Sequence, residues 1–131
     1  MDKSELRQYR HMAAEAADMD AEIKRLRGLS ITRTWPDGQP RSNSNQDRTS
    51  KLAAQIADLQ TMYEEKIQAL VERQIEIEKA IDRLDPIERR LIRLRYIDCN
   101  DWDDICDEIV YSERQMFNIH GIALEKLKRL Q

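Results

Sequence analysis

From Leu52 to Leu84 the apolar side chains Leu52, Ile56, Leu59, Tyr63, Ile67, Leu70, Ile77, Ile81 and Leu84 recur in steps of 3 or 4, with Gln74 as a polar member of the series. Only an α-helix sets such a series on one face, and a mean step near 3.5 residues is the seam of a coiled coil, interrupted here by a stutter at Tyr63. A helix of about 35 residues is roughly 50 Å long, which is too long for a compact core. Its seam needs a cover. Two covers are available: the preceding part of the chain folded back as an antiparallel hairpin, or a second copy. Both hold together if two hairpins make a four-helix dimer. Gln74 suits either, since a polar seam residue can set register between chains or sit at a wet boundary.

The cover within the chain is a stretch from Lys3 to Arg27, where Leu6, Tyr9, Met12, Ala16, Met19, Ile23 and Leu26 step by three or four. This spacing predicts an amphipathic helix over residues 1–28, ended by Gly28 as a left-handed terminator. Residues 29–50, rich in Ser, Asn, Pro and Gly, form a flexible loop in this reading, and Trp35 between Arg33 and Arg41 is its single sharp feature. Trp35 is either an arm for DNA or polymerase or an ordinary packed or exposed side chain. The long coiled-coil helix then occupies 51–84.

The last third, 85–131, carries three helix-start signals. Asp85 with Pro86 and Glu88 has the form of a capping box with proline at the first helical position, and Ser112 with Gln115 repeats the box. Asp101 with Asp104 is a weaker version, followed by Trp102, Ile105 and Ile109 at helical spacing. In the last helix Met116, Ile119, Ala123 and Leu127 mark the inward stripe. A turn of about three residues at Val110, Tyr111 and Ser112 forces the second and third helices to cross steeply, as in a helix-turn-helix. Cys106 is small where that crossing needs a small side chain.

Composition narrows the function class. The chain has 131 residues, 5% aromatic and 36% charged, which with helical periodicity gives an all-α fold: a long helical hairpin or coiled coil followed by a three-helix module. No stretch has the roughly 18 apolar residues of a membrane span, and MDKSELRQYR offers no signal-peptide core, so a cytoplasmic location is expected. Cys99 and Cys106 read as reduced thiols, because no paired histidine accompanies them and His11 and His120 are the only histidines. No phosphate loop or catalytic constellation is present, so neither an enzyme nor a cofactor is expected. The net charge is −3 overall, and from Asp85 to Gln131 ten acidic residues face eight basic ones, a net −2. DNA binders ordinarily gather positive charge. Here the acids concentrate in the second helix of the module, and the bases cluster at Arg89, Arg90, Arg93 and Arg95 and again at Lys126, Lys128 and Arg129.

The residues Leu84, Pro86, Glu88, Arg95, Tyr96, Asp104, Ile105, Cys106, Ser112, Met116, Ile119 and the run Ala123-Leu124-Glu125-Lys126-Leu127 resemble region 4 of sigma-70-type transcription factors. The chain as a whole resembles small regulators encoded by phages and prophages of Gram-positive bacteria, relatives of the RinA and ArpU late-gene activators. That resemblance rests on Ile56-Ala57-Asp58-Leu59, Arg95-Tyr96-Ile97-Asp98 and Tyr111-Ser112-Glu113-Arg114-Gln115. It implies a sequence-specific regulator that reads the major groove of double-stranded DNA with the helix starting at Ser112, in a bacterial host cytoplasm. Glu113, Arg114, Phe117 and Asn118 would face base edges, and Arg89, Arg90, Arg93, Ser112, Gln115 and Lys126 would contact phosphates. RNA polymerase is a second expected partner, and the copies would pair through the long helices. One departure stands out: Val110 occupies a turn position that favours glycine, since positive φ is unfavourable for a β-branched residue. The alternative function is a non-enzymatic coiled-coil interaction module that contacts RNA polymerase or another protein.

Overall fold

The structure is a computed structural model that describes residues 1–32 and 43–130, with side chains for 1–29 and 47–130. Trp35, Arg33 and Arg41 lie outside the described residues. The fold is all-α: α1 is Lys3–Thr32, α2 Asn43–Ile81, α3 Pro86–Ile92, α4 Trp102–Ile109 and α5 Glu113–Arg129, and a π-helical turn at Arg93–Ile97 continues α3. No described helix is long and apolar enough to cross a membrane.

Three boundaries differ from the sequence expectation. Helix α1 runs through Gly28 to Thr32, and α2 begins at Asn43, so helix claims both ends of the expected 29–50 loop. A mid-helix glycine costs only about 1 kcal/mol, which continued backbone hydrogen bonding offsets. At the other end α2 stops at Ile81, and a turn closed by Leu84 N–H onto Ile81 O (2.9 Å) carries the chain to α3.

The chain divides into two compact units, Met1–Ala13 with Ala69–Gln131, and Ala14–Gln68. In the second, Ala16, Ile23 and Ile56 are buried between α1 and α2. Lys66 approaches Glu15 (3.7 Å) while Arg27 donates to Gln60 (3.2 Å), so the two segments run antiparallel. The first unit has the same arrangement. Leu6, Tyr9, Leu70, Ile77 and Ile81 are buried, and Arg73 donates to Gln8 (3.2 Å). The Tyr9 hydroxyl donates to Gln74 Oε1 (3.4 Å), giving the polar seam residue a partner inside the chain. In both units the fold-back of α1 therefore covers the seam.

The three-helix end is built around Leu91 from α3, Ile105 from α4 and Met116 from α5, all at or below 1% exposure, with Leu94, Trp102, Cys106, Ile109 and Ile119 packed on them. Cys106 Sγ lies 3.7 Å from Met116 Sδ, where α4 packs against α5. Helix α4 ends at Val110, which adopts φ 59° and ψ 39°, and its N–H reaches Cys106 O at 3.1 Å. The β-branched residue thus absorbs the left-handed strain that glycine would relieve. Its side chain is 85% exposed and contributes no burial in return.

Left-handed backbone costs a non-glycine residue about 1–2 kcal/mol, and glycine returns part of the gain through unfolded-state entropy. Val110→Gly should therefore stabilise the fold by about 0.5–1 kcal/mol. Urea denaturation followed by circular dichroism checks this, and a lower midpoint would show that the turn is not strained.

Candidate nucleic-acid interface

Ser112 caps α5 in extended geometry: its Oγ accepts from Gln115 N–H (3.2 Å), and Gln115 Oε1 accepts from Ser112 N–H (3.2 Å). Both halves of this capping box are made. At Asp85 the box is present as well, with Asp85 N–H donating to Glu88 Oε2 (3.3 Å). The Asp85 carboxylate also accepts from Lys126 Nζ (3.3 Å). Asp101 caps α4 by backbone geometry alone, and its carboxylate lies 3.8 Å from Arg10.

Past the corner, Glu113, Arg114, Phe117 and Asn118 all stand on the exposed side of the first turns of α5. Phe117 is 44% exposed and sets its ring edge-on to Trp102, with centroids 5.0 Å apart, so it has one packed side and one open side. Arg114 has no ion pair among the described residues, which leaves its guanidinium fork available.

The residues expected at phosphates are disposed differently. Arg93 forms a two-armed pair with Glu78, one arm at 2.7 Å, and that hydrogen bonding raises its pKa above the ordinary arginine value. Arg89 pairs with Asp82 (3.3 Å) and Arg90 with Glu108 (3.3 Å). Lys126 holds the buried Glu88 carboxylate at 2.8 Å as well as Asp85, and its pKa is raised mainly by the bond to Glu88. Ser112 and Gln115 are occupied with each other. Each of these six residues thus has an internal partner, and the four cations are partly neutralised by internal acids.

An aromatic group behind α5 went unseen in the sequence. The Tyr96 hydroxyl and His120 Nε2 lie 2.8 Å apart in a buried contact, Trp102 meets His120 edge-on at 4.9 Å, and the Arg95 guanidinium lies 4.5 Å over the Trp102 ring. Burial lowers the Arg95 pKa below its ordinary value, with nearby Arg10 adding to the effect. Arg95 also donates to Asn100 O (3.1 Å), which ties the end of the π turn to the start of α4. His120 is 7% exposed, whereas Ile119, a member of the expected inward stripe, is only half-buried. The signal was available, since Met116, His120, Ala123 and Leu127 step by 4, 3 and 4. Gly121 faces open space: a Cβ there would meet nothing within 4 Å.

Burial, followed by the nearby cations Lys3, Arg95 and Arg7, lowers the His120 pKa to about 4. Between about pH 6.5 and 4 the unfolded chain therefore takes up a proton that the folded chain refuses. The associated stability is complete above the unfolded pKa and is lost as pH falls through that window. His120→Gln should lessen the loss of stability between pH 7 and 4.5 by about 2 kcal/mol. Parallel urea titrations measure this, and identical acid dependence in both proteins would remove the assignment. Lys126→Met, by stranding the buried Glu88 carboxylate, should lower the denaturation midpoint at neutral pH, whereas Lys128→Met should not.

Among the described residues no group of acidic, histidine or cysteine side chains is arranged to hold a metal ion. Comparison with curated proteins and with solved structures finds no match. One family description, "Protein of unknown function (DUF1492)", matches residues 43–128, from the start of α2 almost to the end of α5. The match spans well over half of the chain, which therefore belongs to the DUF1492 family.

Proposed function

We propose that this chain is a sequence-specific DNA-binding regulator of phage or prophage genes that reads the major groove with the N-terminal half of α5. The observation that carries this reading is the corner at Val110, with a buried core on one side and Arg114, Phe117 and Asn118 exposed on the other. A steep crossing lets the second helix of the pair project into a groove while the first spans the backbone. Arg114 has the fork that matches guanine O6 and N7, Asn118 the amide that matches adenine, Glu113 an acceptor for cytosine N4, and Phe117 an open edge for a thymine methyl. The free N–H groups at the start of α5 favour a phosphate beside Ser112. Contacts from Arg89, Arg90, Arg93 and Lys126 to phosphates require exchange of their internal acids for DNA, so counterion release and salt dependence should be modest for a module of this kind. Pairing of two copies through the long helices has to build on outer faces, where Met62, Val71 and Ile75 are exposed on α2.

A second reading takes its support from the same ion pairs. With its arginines neutralised and α4 carrying Asp103, Asp104, Asp107 and Glu108, the module offers an acidic face suited to a basic protein surface, such as one on RNA polymerase. Fluorescence anisotropy with duplexes selected from random DNA, run at two salt concentrations, separates the two readings. Arg114→Ala should weaken the selected site by about 1–3 kcal/mol and spare random DNA, while Arg90→Ala should weaken both alike and slightly. Absence of any selected sequence, or equal losses on selected and random DNA for Arg114→Ala, would overturn the major-groove reading.

A further inference from the structure

The outward stripe of α5 is formed by Arg114, Asn118, Gly121 and Glu125, which step by 4, 3 and 4 and so make a seam that no other part of the described chain covers. The stripe is symmetric about the midpoint between Ile119 and His120: Asn118 and Gly121 each lie one and a half residues away, and Arg114 and Glu125 each lie five and a half away. When two identical helices pair antiparallel across a two-fold axis at that midpoint, positions equally far from it come opposite each other. Arg114 then faces the partner's Glu125 twice over, competing there with the exposed Arg129 that pairs with Glu125 within each α5 (3.3 Å), and Asn118 faces the partner's Gly121. The flanks are apolar, with Phe117 at 44% and Ile122 at 52% exposure, each on the side where it meets its own counterpart in the second copy. Gly121 leaves an open concavity between Phe117, Asn118, Ile122 and Glu125, and none of the described residues fills it.

We infer that this face is a self-complementary docking surface for a second copy of the chain, which pairs α5 with α5 antiparallel. Charge order and the site of the glycine select a copy over an unrelated helix, because a two-fold pairing matches cation to anion at both ends and small to larger at the centre. The contact is about 12 residues long, roughly 16 Å of helix, so it falls in the small, transient class of interfaces. One consequence rests on the function proposed above: the paired face includes Arg114, Phe117 and Asn118, so pairing and base reading exclude each other, and self-association holds the protein off DNA.

The test is sedimentation equilibrium of the full chain from micromolar to millimolar concentration, without DNA. Wild type should self-associate reversibly. Arg114→Glu sets Glu against Glu and Glu125→Arg sets Arg against Arg, so each alone should associate roughly tenfold more weakly or less. An equimolar mixture of the two variants should recover wild-type association, because each then presents the charge the other lacks. Recovery also shows that both variants are folded. A wild type that stays monomeric, a single variant that associates as wild type does, or a mixture no better than its parts overturns the pairing. None of these readouts involves DNA, so a failed base-reading hypothesis would leave them standing.

Discussion

The contact that the C-terminal end depends on is a three-way one, Leu91 against Ile105 against Met116, with one residue from each of three helices. Helix α4 has 8 residues and α3 has 7, both well below the length at which an isolated helix holds in water. Neither forms unless the cluster forms, and the cluster forms only when the chain turns sharply at Val110. Tertiary packing thus sets the corner, and the corner sets which residues of α5 face outward. The left-handed valine is a local cost accepted by the arrangement as a whole, as strained backbone is tolerated where its surroundings over-determine it.

Electrostatics make this module unusual for its proposed role. Arg89, Arg90, Arg93 and Lys126 each bind a carboxylate of their own chain, which stitches α3 to α2, α4 and α5. Exposed pairs of this kind add little stability individually, but they remove the long-range positive field that draws most DNA binders to any duplex. In the proposed role, a protein so arranged would rely on short-range fit more than on steering, and the burden of recognition would fall on Arg114 and its neighbours.

Local chemistry made much of this legible in the sequence. The Ser112 box, the proline start at Pro86, the corner at Val110 and the small Cys106 are all properties of neighbouring residues, and all appear where their chemistry places them. The apolar seam was equally plain, but periodicity cannot say what covers it, and the choice of α1 is a long-range fact. His120 drops out of the inward stripe in the sequence because a histidine counts as polar in a hydrophobic pattern, yet Tyr96 supplies the hydrogen bond that lets it be buried. Gly28 was read as a stop because glycine ends helices so often, although its cost in the middle of one is small. The internal pairing of the basic residues could not be seen at all, since Arg93 and Glu78, or Lys126 and Glu88, meet only after the helices have packed.

The π turn at Arg93–Ile97 closes with Asp98 N–H on Arg93 O at 2.9 Å, five residues back, and the Asn100 N–H reaches Leu94 O at 3.0 Å to finish it. A turn of this kind holds one residue more than its α counterpart, as if a single amino acid had been spliced into a regular helix without breaking it. Removing that extra residue would restore ideal hydrogen bonding while rotating Tyr96 and Arg95 out of phase with the histidine and indole they meet. For this segment, a change that perfects the secondary structure would dismantle the tertiary one.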